Sequence, residues 1–217
     1  MFDSQRALKE QVSKLCQLAY LEIRPIGSVR QYLFFFEATK ISSLVFSRLD
    51  CCNGLFAGSP QVLLEKIQRV INCSARLIFK APKSAHITPL RYDLHWLPIS
   101  SRNQYKIALI CFHIVSGTAP PYLSELLHLY SPSRSLCSAS NIRIFRVPRL
   151  GRRTRGERSF QYIGPVIWNS LPLPVRHSFC LSFFKPVLKT HLFSSAYWSV
   201  VLFLLIPPTH HHYWVHL

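Results

Sequence analysis

From Ser101 to Ser116 the chain is apolar nearly all round: Tyr105, Ile107, Leu109, Ile110, Phe112, Ile114 and Val115 leave a helix no continuous polar side. Such a helix has to be enclosed by other elements, because each apolar face left in water forfeits burial free energy. The segment therefore predicts a bundle with this helix at its centre, closed by Gly117, a residue that ends helices without steric cost. A second pattern supplies a neighbour. From Pro60 to Lys80, Leu63, Ile67, Val70, Ile71, Leu77 and Ile78 recur at helical spacing, with Ser59 as the expected cap and Pro60 in the first turn. The opposite face carries Lys66, Arg69, Arg76 and Lys80.

Further helices follow from the same periodicity. Asp3 or Ser4 caps a first one with Leu8, Val12, Leu15 and Ala19 along a stripe, ending at Pro25 and Gly27. A second spans about 37–50. Thr88-Pro89 opens a short one that stops near Pro98, and Pro120-Pro121 opens another ending near Tyr130. Ser131 to Ser140 is rich in Ser, with Pro and Arg, the composition of a linker. Ile142, Ile144 and Val147 suggest a short strand paired across a turn at Gly151, and Ser159–Ser170 and Leu181–Phe193 are helical, each disturbed by a proline (Pro165, Pro186). The expected organisation is a mainly α helical bundle over 1–130, a linker and small basic hairpin over 131–158, C-terminal helices over 159–193, and a hydrophobic and His-bearing tail over 194–217.

Charge narrows the function. The 217 residues hold 26 Lys and Arg against nine Asp and Glu, a formal net charge of +17. The stretch from Asn141 to Arg158 is the densest part, with seven arginines (Arg143, Arg146, Arg149, Arg152, Arg153, Arg155 and Arg158) and one acid, Glu157. Such a field repels itself unless a polyanion neutralises it. The planar guanidinium chelates phosphate bidentately and stacks on bases, as lysine does poorly. These seven, with the Lys66, Arg69, Arg76 and Lys80 stripe, are the candidate nucleic-acid-binding residues; Phe145 and Tyr162 are candidate stacking partners for single-stranded RNA. A solvated basic face without a specific partner is the plain alternative. Phosphate contacts position a protein without reading sequence.

The scarcity of acids leaves one class of chemistry without a local signature, and only folding could bring acids together for it. The closest pair, Asp3 and Glu10, lacks the D-x-D or D-D spacing that holds two divalent ions for phosphoryl transfer. Seven cysteines, at 16, 51, 52, 73, 111, 137 and 180, include no C-x-x-C pair. An odd number without that motif suggests neither a disulfide framework nor a zinc ribbon, but reduced thiols, many of them small core residues, in the cytosol or nucleus. Cys111 with His113 is half a metal motif, and His210, His211, His212 and His216 have no second cluster, so no metal and no cofactor is expected. Asp93 and His95 lack a nucleophile beside them, and Asp93 is expected to pair with Arg91. Trp96 and Trp168 are expected in the core, His113 as a satisfied core histidine, and Asn169 as a loop cap. The N-terminus has no apolar stretch of a secretory signal. Leu192–Ile206 is a mainly apolar run of fifteen residues, shorter than the roughly 20 a spanning helix needs.

Nine phrases, in order, resemble the C-terminal part of the reverse transcriptase polyprotein of non-LTR (LINE-type) retrotransposons. They are Ser47-Arg-Leu-Asp-Cys-Cys-Asn53, Lys66-Ile-Gln-Arg-Val-Ile-Asn-Cys-Ser-Ala-Arg76, His86-Ile-Thr-Pro-Leu90, Leu94-His-Trp-Leu-Pro98, Tyr105-Lys106, Ala119-Pro-Pro-Tyr-Leu123, Val147-Pro148, Ile167-Trp-Asn-Ser-Leu-Pro172, and Phe183-Phe-Lys185 with Lys189-Thr-His-Leu-Phe193. Phe2-Asp-Ser-Gln resembles the point just after the polymerase palm. The resemblance implies a thumb-like bundle and the region after it, without the family's endonuclease and without its aromatic-x-Asp-Asp turn that binds two Mg²⁺. It implies a noncatalytic fragment that binds RNA or an RNA–DNA duplex; it leaves open an intact reverse transcriptase in trans as a further partner, and a membrane is not the expected surface. The sequence departs from the family pattern at Cys51, at Gly54, in a shortened Thr39–Ser43 segment and at Pro186. Those departures support a second reading, a decayed open reading frame that folds poorly and has no molecular function. A tail-anchored basic membrane protein, resting on Leu192–Ile206, is the third.

Overall fold

The computed structural model describes residues 4–51, 53–130, 143–149 and 159–198. They form nine α-helices, and no strand occurs among them. The helices are α1 (Ser4–Val29), α2 (Phe35–Cys51), α3 (Gln61–Phe79), α4 (Ile87–Asp93), α5 (Ile99–Val115), α6 (Pro121–Ser124), α7 (Phe160–Ser170), α8 (Leu173–Arg176) and α9 (Leu181–Ala196), with 3₁₀ turns at Arg30–Tyr32 and Asn53–Phe56. The mainly helical class is as the sequence predicts. The expected linker over Ser131–Ser140, the expected turn at Gly151 with Arg152, Arg153, Arg155 and Arg158, and the tail from residue 199 lie outside the described residues.

Two cores organise the helices. In the first, α1 contributes Val12, Cys16, Ala19, Ile23 and Ile26, steps of three and four that keep one helix face inward. Val45, Phe46 and Leu49 of α2 and Leu63, Ile67, Val70 and Ile71 of α3 close on it. The first helix does not stop at Pro25 and Gly27 but runs to Val29. Pro25 sits on its exposed side, where water can serve the carbonyl one turn back that the proline cannot. Glu37 supports the start of α2 by accepting from the Phe34 N–H at 2.9 Å, half of a capping box. Ser59 does not cap α3; Pro60 is the N-cap and the buried Ser59 hydroxyl finds no partner.

The second core is built around α5. Ile107, Ala108, Cys111 and Phe112 meet Trp168 of α7 and Phe184, Leu188 and Leu192 of α9, with Leu127 and Phe145. Phe112 and Phe184 stack at 4.3 Å. At Gly164 the α7 backbone comes close enough that an added Cβ would meet Cys111 Sγ, Leu127 and Phe160 at 3.4 Å, so the glycine sets the α5–α7 distance. Because α5 also packs on α3 and on the Asn53–Phe56 turn, it joins the two cores, and the expected boundary at residue 130 runs through the second of them. Gly117 adopts φ +68° and ends α5 as expected.

Several expectations shift. α6 stops at Ser124, well short of Tyr130. Pro165 and Pro186 lie inside unbroken helices; Pro186 is on the exposed face of α9. The first residues of the apolar tail run are core: Leu192 is buried, and Tyr197 is fully enclosed with its hydroxyl donating to the Trp96 carbonyl. Among the described residues no helix is long and apolar enough to cross a membrane.

Candidate nucleic-acid interface

Residues 143–149 are held against the second core by side chains, not by a sheet. Leu129 and Phe145 form a single antiparallel bridge, with the Tyr130 N–H donating to Ile144 O at 2.7 Å and the Arg146 N–H to His128 O at 2.9 Å. Among the described residues this bridge is the only strand-like pairing of the segment; the expected partner beyond Gly151 lies outside them. Asn169 grips Phe145 at both polar ends, accepting from its N–H at 3.0 Å and donating to its carbonyl at 2.9 Å. Trp168 Nε1 donates to Arg143 O at 2.7 Å. The expected roles of Trp168 as an anchor and Asn169 as a cap thus combine in one clamp.

The clamp sorts the basic residues. Arg143, in a left-handed conformation with φ +82°, directs its guanidinium at the carbonyls of Arg176 and Ser178, at 3.4 and 3.3 Å. It is therefore tied into the fold, contrary to its expected place on a phosphate-gripping surface. Phe145 is 1% exposed and packs edge-on against Trp168, so it cannot stack on a base. Arg146 and Arg149 are exposed, with Val147 and Pro148 between them. They border an open recess of about 680 Å³, shared with Leu126, His128 and Gln161. Tyr162 is half-buried on α7.

The α3 stripe also divides. Arg69 and Lys80 are exposed, Lys80 in the left-handed position that ends the helix. Lys66 and Arg76 are half-buried. Lys66 lies near Cys16, whose thiol is pushed up by burial and drawn down by that ammonium. Arg76 Nη2 donates to Ala85 O at 3.3 Å, while its Nε is enclosed without a partner. The stripe thus flanks the α1–α3 seam, with only Arg69 and Lys80 projecting.

Two arginines that sequence reasoning missed serve the backbone. Arg30 is 9% exposed and donates to Leu77 O at 2.9 Å, to Leu33 O at 2.6 Å and to Ile78 O. It serves the last carbonyls of α3, which have no partner within the helix. Arg176 is buried and donates to Leu171 O at 2.9 Å. Nothing in the local pattern distinguishes these arginines from surface ones, since their acceptors lie up to 48 residues away.

Metal-ligating side chains do not gather among the described residues. No group of three or more His, Cys, Asp or Glu comes together. Cys111 donates to Gly164 O at 3.6 Å, whereas His113 Nδ1 meets Thr118 Oγ1 at 2.8 Å, so each is satisfied separately. Asp93 is exposed, and no ion pair joins it to Arg91. Cys16 and Cys111 are free and buried, Cys73 is free and half-buried, and Cys180 is free and exposed. The chain matches no known protein family, no curated protein and no solved structure.

Proposed function

We propose that this chain is a noncatalytic module that grips the phosphate backbone of RNA or of an RNA–DNA duplex, corresponding to the post-palm region of a LINE-type reverse transcriptase. The observation that carries the reading is the exposed Arg146–Arg149 edge, fixed on a packed core by the Asn169 clamp and continuing in sequence into Arg152, Arg153, Arg155 and Arg158. A net charge of +17 with nine acids supports it, because so few carboxylates cannot neutralise the cations internally. Arg69 and Lys80 form a second point of contact along α3. Two continuous cores support a folding module over a decayed relic, and cooperative thermal unfolding followed by circular dichroism tests that choice.

The test is binding to a generic RNA hairpin between about 50 and about 200 mM salt, where a protein with several phosphate contacts loses affinity steeply through counterion release. Replacing Arg146, Arg149, Arg152, Arg153, Arg155 and Arg158 by Gln should abolish most binding. A flat salt response, or binding unchanged by those substitutions, refutes the reading.

A further inference from the structure

At the junction of the two cores, four parts of the chain line an open cleft of about 420 Å³. Asp50 comes from the end of α2, Leu94–Leu97 from the turn after α4, Arg102, Tyr105 and Lys106 from α5, and Lys189 from α9. The lining holds three permanent cations and one carboxylate. Asp50 and Arg102 already engage each other at 2.6 Å, and the Arg102 guanidinium lies over the Phe46 ring at 4.5 Å. Lys106 and Lys189, by contrast, have neither an acid nor a hydrogen-bond partner among the described residues. Arg102 Nε is enclosed without a partner as well.

The turn that closes the cleft is strained and tightly held. His95 takes φ +54°, a conformation that non-glycine residues adopt at a cost. It is kept there by the His95 N–H to Tyr92 O and the Trp96 N–H to Arg91 O, both at 2.9 Å, and by the Tyr197 hydroxyl on the Trp96 carbonyl. Its imidazole lies flat against Phe193, with 5.6 Å between ring centres, at the cleft wall. A small recess with two unpaired ammoniums, aromatic walls and a rigid rim suits a compact ligand bearing both a dianion and a planar ring.

We propose that this cleft binds a nucleoside monophosphate unit, its phosphate monoester between Lys106 and Lys189 and its base against the Trp96 and Tyr105 side. The unit comes either from free nucleotide or from the phosphorylated end of a strand; only the second source rests on the nucleic-acid reading given above. Its volume is at the small end of ligand sites, about 300–1,000 Å³, which admits one nucleotide and excludes a duplex.

Isothermal titration calorimetry on the full chain tests this with UMP, AMP, uridine, inorganic phosphate, and a short single strand with or without a 5′-phosphate. UMP and AMP are expected to bind saturably and uridine not at all. Lys106→Gln and Lys189→Gln should each weaken UMP by about tenfold, as loss of a charge-assisted contact does. Lys185→Gln, one turn earlier on α9 and outside the cleft, should leave it unchanged. A strand end is the source if the 5′-phosphorylated strand outbinds its unphosphorylated form by a margin that Lys106→Gln removes; equal binding of the two assigns the cleft to free nucleotide. Absence of saturable UMP binding, binding of inorganic phosphate as tight as UMP, or UMP binding indifferent to both lysine variants overturns the proposal. Hairpin binding that survives those outcomes leaves the phosphate-gripping edge standing, and UMP binding without hairpin binding leaves only the cleft.

Discussion

Asn169→Ala removes both hydrogen bonds that fasten residues 143–149 to α7. The carboxamide accepts from the Phe145 N–H at 3.0 Å and donates to the Phe145 carbonyl at 2.9 Å, and Phe145 itself is 1% exposed. Alanine leaves a backbone donor and an acceptor beside a buried ring, where each unsatisfied group costs about 1–3 kcal/mol. Water reaches the partly buried carboxamide position and recovers some of that cost, so a net loss of about 2–4 kcal/mol is expected. Urea unfolding followed by circular dichroism measures it: with a slope of roughly 2–3 kcal/mol per M, the midpoint should fall by about 1 M. Asn169→Asp should also destabilise, since it keeps an acceptor for the N–H but sets a carboxylate against the Phe145 carbonyl. The same variants should expose the chain to trypsin after Arg146 and Arg149 before global unfolding begins. A loss below about 0.5 kcal/mol, within the range of an ordinary surface substitution, contradicts the clamp.

Other expectations follow from single contacts. Arg30→Met leaves the Leu77, Ile78 and Leu33 carbonyls without their guanidinium and should cost about 2–4 kcal/mol in the same unfolding assay; an unchanged midpoint removes the proposed cap. Pro186→Ala should stabilise the chain by about 1–3 kcal/mol, because the proline interrupts the hydrogen-bond ladder of α9 while exposed to water; no gain would show that the helix has already relaxed around it. Burial pushes the Cys111 thiol from its ordinary 9.0 up to about 12. The unfolded chain therefore gives up that proton first as pH rises. Stability is full below about pH 9 and declines towards about pH 12, by up to about 1.4 kcal/mol per pH unit from this group. Cys111→Ala should flatten that decline in thermal melts, and an identical alkaline slope would count against the buried thiol.

Helical periodicity made most of the architecture legible in the sequence. Most of the apolar positions read for α3 are buried, whereas of those read for α5 only Ile107 and Phe112 are buried and the rest are half-buried; α5 is nevertheless the helix that touches both cores. Trp168 could be assigned to the core because a large ring beside Ile167 is seldom left in water. Proline was misleading in both directions. Pro25 and Pro186 lie on exposed helix faces and each removes one ladder hydrogen bond without ending its helix, while Pro120-Pro121 starts a helix of only four residues because the chain soon turns to bridge Phe145. The arginines were legible as charge but not as geometry. Arg30, Arg143 and Arg176 differ from Arg146 and Arg149 only in what the fold brings near them, namely backbone carbonyls at helix ends and turns. The cleft of Arg102, Lys106 and Lys189 was equally hidden, because its lining residues are drawn from positions 50 to 189. The spacing of Arg102 and Lys106, one turn apart in the polar first half of α5, was the one local signal.

The central claim is that the fold separates arginines that serve the backbone from arginines that face a polyanion. Its most direct test is the slope of log affinity against log salt for an RNA hairpin, compared between the parent chain, Arg143→Gln and the double variant Arg146→Gln/Arg149→Gln. Each lost phosphate contact lowers that slope by about one. The double variant should therefore lose about two units of slope at unchanged stability, while Arg143→Gln should lose stability and keep its slope. Equal slopes in the parent and the double variant, or the same reduction from Arg143→Gln, would contradict the separation.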